Sequence, residues 1–205
     1  MSAPKSRFAV LGWGSLLWDD RVEFAGFNQR LSGWNPDGPT LRLEFARVSA
    51  SREGALTLVL VKAPSGANCK VSYALIDRRE LEDAICDVRC REGCNLADIG
   101  YCQIGVAANF RGRDPAVVDV IRAWGAEKQM DAVIWTDLPS NFAAQSDPQA
   151  NFGVPAALAH LQKLSPKGKS VAAEYVWRAP TFVETPLRTA LQAAPWFTPP
   201  PVAAQ

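Results

Sequence analysis

The chain has 205 residues, of which 48% are hydrophobic and 21% charged, and such a composition is ordinary for a globular protein. Its 22 lysines and arginines nearly balance 21 acids, and the resulting net charge of +1 offers no bulk attraction for nucleic acid or an anionic membrane. We therefore expect the partner to be a small ligand, and no nucleic acid or membrane.

The sequence also indicates a cellular location. No apolar run approaches the roughly 20 residues that a membrane-spanning helix needs, and the amino end has no signal-peptide pattern. Five cysteines are an odd number, so a complete disulfide framework is not expected. These features predict a cytoplasmic protein with reduced thiols.

The first part of the chain alternates short apolar segments with turn formers, a pattern that is typical of strands. Four strands are expected here, at 8–11, 41–46, 56–62 and 71–77. A cluster of asparagine, proline, aspartate and glycine at 35–39 makes a sharp turn between the first two strands. The segment "APSGANC", at 63–69, separates the last two strands in the manner of a hairpin.

Helical periodicity begins at residue 78. Helices are expected at 78–91, 115–129, 154–164, 171–177 and 186–193, with strands at 101–106 and 131–136. Because strands and helices are interleaved irregularly, we predict an α+β fold, with a mixed β-sheet curled into a small barrel and helices around it. A single domain over 1–194 is expected to precede a proline-rich tail at 195–205 that Trp196 and Phe197 anchor.

The first predicted strand runs into Gly12-Trp13-Gly14-Ser15. Two glycines around one residue let successive backbone N–H groups point into a common concavity, which suits an anion. The third glycine of a dinucleotide fingerprint and the lysine of a P-loop are both missing, so neither nucleotide site is expected. From the spacing alone, a tight turn in which the glycines only avoid a steric clash is the alternative.

Three segments, in the same order, carry a resemblance to a known family. "LGWGSLLWD" resembles the tyrosine-glycine-serine-leucine signature of the γ-glutamylcyclotransferase-like proteins, which include the ChaC-type glutathione-specific members, although Trp13 stands where that family has tyrosine. "LEFARVSASREGALTLVLV" resembles the arginine- and serine-bearing segment of the family, and "CREGCNLADIGY" resembles its acidic segment before a tyrosine. The resemblance covers about the first half of the chain.

The resemblance implies an enzyme that needs no cofactor and no metal. In the family reaction, the α-amine of a γ-glutamyl group attacks its own γ-carbonyl, expels an amine or peptide, and leaves 5-oxoproline. The amine must lose a proton and the leaving nitrogen must gain one, and a single carboxyl group can do both. Glu92, just before the expected helix terminator Gly93, is the candidate for this general base and acid.

The resemblance also implies a set of substrate-binding residues. In the loop, backbone N–H groups and the Ser15 hydroxyl are expected to bind the substrate's α-carboxylate or the developing oxyanion. Arg47 and Ser49 lie on one face if 41–49 is extended, and Arg52 follows them. An arginine fork matches a carboxylate, although surface salt bridges are the alternative for the arginines. The complete predicted set is Gly12, Trp13, Gly14, Ser15, Leu16, Arg47, Ser49 and Arg52.

The cysteines and the single histidine are weaker candidates for a metal, redox or catalytic site. Cys86, Cys90 and Cys94 recur every four residues, which is compatible with a metal or iron–sulfur site, but a core-facing stripe of small residues is the better interpretation. His160 falls in an amphipathic segment and is expected to be structural. Two alternatives to the enzyme stay open: a catalytically silent member of the same fold that binds a small ligand or a partner protein, and a cysteine-ligated metal or redox protein.

Overall fold

The computed structural model of the chain describes residues 6–145 and 152–200, without the side chains of 144 and 145. The chain divides into two compact units that are both discontinuous in sequence. The first unit contains the residues up to 41 together with 70–138, and the second contains 42–69 and the residues from 139 onward. A single domain over 1–194 stays a prediction.

Within the described ranges, the chain forms eight strands and seven α-helices. The strands are β1 Phe8–Gly12, β2 Thr40–Val48, β3 Leu56–Leu60, β4 Ala67–Lys70, β5 Ser72–Ile76, β6 Ile99–Gln103, β7 Phe110–Arg111 and β8 Ala132–Thr136. The helices are α1 Ala25–Asn28, α2 Leu81–Glu92, α3 Pro115–Glu127, α4 Phe142–Gln145, α5 Val154–Lys163, α6 Pro166–Arg178 and α7 Pro186–Gln192.

The α+β class is confirmed, but the predicted small barrel is wrong for the described part of the chain. The strands form a five-stranded sheet in the order β5-β1-β8-β6-β7 and a separate three-stranded sheet in the order β3-β2-β4. Only β1 and β8 are parallel in the larger sheet, so it is mixed. Both sheets end in edge strands, because β5 and β7 do not pair with each other and neither do β3 and β4.

The predicted hairpin across 63–69 is also wrong. β3 and β5 belong to different sheets, and the residues between them contribute β4, which pairs with β2 instead of with β3. β4 was not predicted from the sequence, because most of its four residues fall in the predicted turn "APSGANC". All five predicted helices are present, with bounds that differ by a few residues.

The first unit places its larger sheet between two helices. On one face, α2 contributes Ala84, Ile85 and Val88 to a cluster that also includes Val10 of β1 and Ile134 of β8. Because side chains alternate across a strand, the other face of the same strands is free to pack against α3. There, an added Cβ at Gly125 would lie 2.9 Å from Val133, which shows how closely α3 approaches the sheet. The strand β1 is therefore buried on both faces.

The second unit has its own apolar core. Phe45 and Leu43 of β2 are fully buried, as are Leu161 of α5 and Leu187 of α7. Phe45 makes an edge-to-face contact with Tyr175 of α6, with ring centroids 6.2 Å apart. All of these residues belong to the second unit.

The predicted carboxyl-terminal tail is only partly described, since 201–205 lie outside the described residues. Phe197 is buried and contacts the ring of Trp196 at 5.5 Å, while Trp196 itself is partly exposed. Of the two residues expected to anchor the tail, Phe197 is buried and Trp196 is exposed.

A fully buried carboxyl group, that of Glu44 on β2, lies at the start of α7. Its Oε1 accepts a hydrogen bond from the backbone N–H of Phe45 at 2.8 Å, and its Oε2 accepts one from Leu187 at 3.3 Å. Burial raises the pKa of Glu44, and the hydrogen bonds from Thr185, Phe45 and Leu187 offset only part of this effect. The folded protein therefore holds a proton here that the unfolded chain loses at lower pH.

This buried acid makes the stability of the protein fall as pH rises. Above the ordinary pKa of a glutamate, the folded state binds more protons than the unfolded state, so the free energy of unfolding decreases until the raised pKa has been passed. We expect Glu44→Gln to remove this component. Urea unfolding of both proteins from pH 4 to 7 should show the wild type losing stability relative to the variant. Parallel stability curves for the two proteins would contradict the assignment.

Candidate functional site

The glycine-rich loop at the end of β1 is shaped by a tryptophan. An added Cβ at Gly12 would lie 2.8 Å from Cη2 and Cζ3 of Trp34 and 2.9 Å from Cδ2 of Leu17. Such distances are too short for a side-chain carbon, so Gly12 is required for the approach of the Trp34 ring. Trp13 is itself buried. The first glycine of the motif thus serves close packing, which was the alternative that the spacing left open.

The loop continues into a 3-10 turn at Ser15–Leu17. The carbonyl of Gly14 accepts a hydrogen bond from the N–H of Leu17 at 3.0 Å, and the carbonyl of Ser15 accepts one from the N–H of Asp19 at 2.9 Å. No side chain caps the amino end of this turn. The residue at the amino end of the turn is Gly14, which has no side chain that could cap it.

The carboxyl end of α2 carries the proposed acid. Gly93 has a left-handed backbone with φ of 60°, and its N–H closes the helix onto the carbonyl oxygens of Arg89 and Cys90. The prediction that Gly93 ends the helix is therefore confirmed. The side chain of Glu92, in the last helical position, is 17% exposed. It is therefore largely shielded from water and is not an ordinary surface glutamate.

Arg91 connects Glu92 to the glycine-rich loop. Its Nη2 donates a hydrogen bond to the carbonyl of Ser15 at 3.2 Å, and its Nη1 lies 3.6 Å from Oε1 of Glu92. The same guanidinium lies 3.9 Å from Oδ2 of Asp19 and stacks 3.7 Å from the centroid of the Phe24 ring. The side chain is only 4% exposed. A single buried cation thus contacts both predicted parts of the site.

Asp19 is a second acid in this cluster, and it forms a bidentate contact with Arg21. It accepts two hydrogen bonds from Arg21, at 2.8 and 2.9 Å, in a bidentate arrangement. Burial would raise the pKa of Asp19, but its hydrogen bond to Arg21 and the charges of Arg21 and Arg91 together lower it. Asp19 therefore stays ionised at neutral pH, which suits a structural anion better than a proton acceptor.

Sequence reasoning missed Arg91, Asp19, Phe24 and Trp34 as members of this cluster. One signal was present for Arg91, because the buried positions of α2 are 81, 84, 85, 88 and 91, which is the spacing of a core-facing stripe. An arginine at the last position of such a stripe is expected to be buried with partners. The other three residues come from loops, where no periodicity indicates which side chains meet.

A cavity of about 360 Å³ lies beside the same turn. Its walls come from the turn and its continuation, from α1, and from the segment after it. The lining residues are Leu16, Leu17, Trp18, Asp19, Asp20, Asn28, Leu31, Gly33 and Trp34. Glu92 and Ser15 are not among them, so this cavity adjoins the cluster around Arg91 without including the proposed acid.

The other predicted binding residues, Arg47, Ser49 and Arg52, lie in the second unit. Arg47 donates a hydrogen bond to the carbonyl of Pro139 at 2.8 Å, and the Ser49 hydroxyl lies 3.2 Å from that of Ser51. The guanidinium of Arg52 stacks 5.1 Å from the centroid of the Tyr175 ring. These contacts stabilise the turn between β2 and β3, and a role of these residues in substrate binding stays a prediction.

Two polar residues that follow β8 are structural. In the first unit, the Asp137 carboxylate accepts a hydrogen bond from the N–H of Arg113 at 2.6 Å. In the second unit, the Asn141 amide bonds both backbone groups of Val48, accepting at 2.7 Å and donating at 3.0 Å. His160 is structural as well, with Nε2 2.8 Å from the carbonyl of Gly54.

The interpretation of the cysteines as a core-facing stripe is wrong. Cys86 and Cys90 are exposed, and only Cys94 of the three is partly buried. The buried stripe of α2 is offset from Cys86 and Cys90 by one position, so these two thiols face outward, whereas Cys94 follows the helix and packs against the core cluster. Across the described ranges, no group of three or more histidine, cysteine, aspartate or glutamate side chains is placed to hold a metal ion. The alternative of a cysteine-ligated metal protein therefore gains no support from this geometry.

Comparisons with known proteins identified no relative of this chain. No family model matches the chain, and neither a curated protein nor a solved structure is significantly similar to it. Within the described ranges, none of the helices has the length and apolar character that crossing a membrane requires. The observations that bear on the function of this chain are therefore its side-chain geometry and the sequence resemblance.

The packing of Trp34 against Gly12 can be tested by adding one methyl group. We expect Gly12→Ala to lower the free energy of unfolding by about 1–3 kcal/mol, because the new Cβ has no space beside the Trp34 ring. Gly26→Ala is the matched control, since an added Cβ at Gly26 meets nothing within 4 Å. Thermal or urea unfolding measures both variants. Equal stability of the two variants would contradict this role of Gly12.

Proposed function

We propose that this chain is a γ-glutamylcyclotransferase-like enzyme that releases 5-oxoproline from a small γ-glutamyl amine or peptide. The observation that supports the proposal most directly is the position of Arg91, which touches the carbonyl of Ser15 at 3.2 Å and approaches Glu92 to 3.6 Å. Arg91 thereby connects two of the three segments that carry the sequence resemblance, the loop after β1 and the end of α2. A structural turn and a surface glutamate would not need this shared buried cation.

Glu92 is the proposed general base and general acid. Its carboxylate takes a proton from the substrate's α-ammonium, and the free amine then attacks the γ-carbonyl carbon to close a five-membered ring. When the C–N bond to the leaving group breaks, the same carboxyl group returns the proton to the leaving nitrogen. Protons and bonds balance without a cofactor. The low exposure of Glu92 limits competition from water during these steps.

The 3-10 turn is proposed to hold the substrate in the conformation that closes the ring. The nucleophile and the carbonyl belong to one molecule, so the rate depends on restricting that molecule to a folded conformer. The N–H groups of Ser15 and Leu16 are proposed to bind the α-carboxylate or the oxyanion, and the Ser15 hydroxyl adds a further donor. Arg91 stabilises this turn by donating a hydrogen bond to the Ser15 carbonyl.

The proposal is tested first at Glu92. The purified protein is incubated with γ-glutamyl amines and peptides, including glutathione, and 5-oxoproline is measured. We expect Glu92→Gln to lower kcat by about 100-fold or more, since general acid–base catalysis contributes on that order. Glu82→Gln is the matched control, because Glu82 is an exposed glutamate on the same helix. Full activity of the Glu92 variant would contradict its role, and absence of 5-oxoproline with the unsubstituted protein would contradict the enzyme class.

The positioning role of Arg91 has a test of its own. Arg91→Lys keeps one positive charge but has only one nitrogen, whereas Arg91 contacts Ser15 and Asp19 through Nη2 and Glu92 through Nη1. We expect kcat/KM to fall by about tenfold, since misplacing a catalytic group by about 1 Å is costly. Arg89→Lys, on the same helix, should leave kcat/KM unchanged. A folded Arg91 variant with wild-type kinetics would show that Arg91 does not position Glu92.

A further inference from the structure

A second cavity of the first unit lies beside the residues that precede β1. Its volume of about 440 Å³ is within the range of about 300–1,000 Å³ that small-molecule sites occupy. Leu31 is the one lining residue that it shares with the cavity beside the 3-10 turn. Glu92, Arg91 and the residues of the glycine-rich loop do not line it. This cavity is therefore separate from the residues of the proposed function.

Hydrogen bonds between β5 and the segment that follows α1 fix the walls of this cavity. The N–H of Asp77 donates to the carbonyl of Arg30 at 2.8 Å, and the N–H of Ser32 donates to the carbonyl of Leu75 at 2.9 Å. The Ser32 hydroxyl accepts a further bond from the N–H of Leu75 at 2.9 Å. All four residues line the cavity. Its shape is thus built by the fold and does not need a ligand to form it.

The apolar surface of the cavity comes from Leu31, Leu75 and Ile76. Ile76 is buried in the core cluster under α2, and Leu31 packs against the same cluster. These side chains are held by the core while part of their surface faces the cavity. The cavity therefore offers a fixed apolar surface that suits a small apolar group.

Arg7 is one of two arginines that line this cavity. Its Nε donates to the carbonyl of Gln129 at 3.0 Å, and its Nη2 donates to the carbonyl of Lys128 at 3.3 Å. Within the described ranges, its Nη1 has no hydrogen-bond partner. The guanidinium is thus held along one edge by the end of α3, and its remaining nitrogen is available to a ligand.

Arg30 is the second arginine, and it is held in a similar way. Its Nη1 donates to the carbonyl of Gly26 at 2.8 Å, and its Nε lies 3.8 Å from Oδ2 of Asp87. That carboxylate accepts two hydrogen bonds from Arg78, at 2.7 and 2.9 Å. Because Asp87 is engaged mainly by Arg78, it offsets the charge of Arg30 only in part.

The charges of the lining favour an anion with more than one negative charge. Two arginines face one acid, Asp77, which is exposed. A phosphate monoester carries about −1.5 to −2 charge at neutral pH and has three acceptor oxygens, so it can contact two guanidinium groups at once. A carboxylate has one charge and two oxygens. The arginines and the apolar surface together therefore match a phosphate monoester that carries a small apolar group.

We infer that this cavity is a binding site for a small phosphate monoester. Its phosphate contacts Arg7 and Arg30, and its apolar group covers Leu31 and Ile76. Asp77 opposes the phosphate and limits the affinity. The inference does not depend on the proposed function, because it uses other residues and no turnover.

Binding of small probes to the full chain tests the site. Isothermal titration calorimetry compares phenyl phosphate, inorganic phosphate, benzoate and phenol. We expect phenyl phosphate to bind at least about tenfold more tightly than phenol, because its contacts with the arginines are charge-assisted. It should bind about threefold more tightly than inorganic phosphate, since its ring covers the apolar surface, and more tightly than benzoate, which has one charge. Added salt should weaken its binding, because Arg7 is exposed.

Each comparison can contradict one part of the inference. Phenol that binds as tightly as phenyl phosphate would overturn the anion site. Benzoate that binds as tightly would overturn the assignment to a phosphate, and inorganic phosphate that binds as tightly would overturn the role of the apolar surface.

Variants of the charged residues identify the site, with effects of opposite sign. Arg7→Gln and Arg30→Gln should each weaken phenyl phosphate binding by about two- to fivefold, which is the range of one exposed ion contact. Asp77→Asn should strengthen binding by about twofold, because it removes a negative charge from the lining. Arg89→Gln is the matched control, since Arg89 belongs to the same unit but does not line the cavity. Wild-type affinity in both arginine variants, or weaker binding by Asp77→Asn, would overturn the inference.

A further variant distinguishes this cavity from the proposed reaction site. Glu92→Gln should bind phenyl phosphate with the wild-type affinity, because Glu92 does not line the cavity. An altered affinity in this variant would place the anion at the cluster around Arg91 and overturn the inference. Phenyl phosphate binding that depends on Arg7 and Arg30 would support the site even if the protein released no 5-oxoproline.

Discussion

The first unit depends on one buried guanidinium. Removing a cation from water is costly, and the cost is recovered only when polar and aromatic partners surround it. The partners that Arg91 contacts are the Ser15 carbonyl, the carboxylates of Asp19 and Glu92, and the ring of Phe24. These partners come from the loop after β1, the segment after it, and α2 itself. Their relative positions follow from the requirement to satisfy a single charge.

This arrangement gives the two acids near Arg91 different properties. Asp19 is held by Arg21 as well, and its lowered pKa keeps it an anion. Glu92 has one arginine contact at 3.6 Å and stands at the helix end, next to the left-handed Gly93. The helix terminus thus supplies a largely buried carboxyl group that lies beside Arg91.

The glycine-rich loop combines two requirements that the sequence does not separate. Gly12 is needed because the Trp34 ring occupies the space of a side chain, and a 3-10 turn follows at Ser15–Leu17. Trp34 thereby links the loop to the adjoining cavity. The packing contact is at Gly12, and the turn proposed to bind the ligand begins at Ser15. The two interpretations of this loop are therefore compatible.

The sequence by itself determined the α+β class, all five of the longer helices, and the end of α2 at Gly93, because helical periodicity and a left-handed glycine are local properties. It could not give the strand order or the pairing of β4 with β2, since these depend on contacts between distant segments. For the same reason, only the tertiary structure brought Asp19 and Phe24 to Arg91, and Trp34 to Gly12. The stripe of thiols on α2 had the correct helical spacing, but which of two offset stripes faces the core was decided by packing against the sheet.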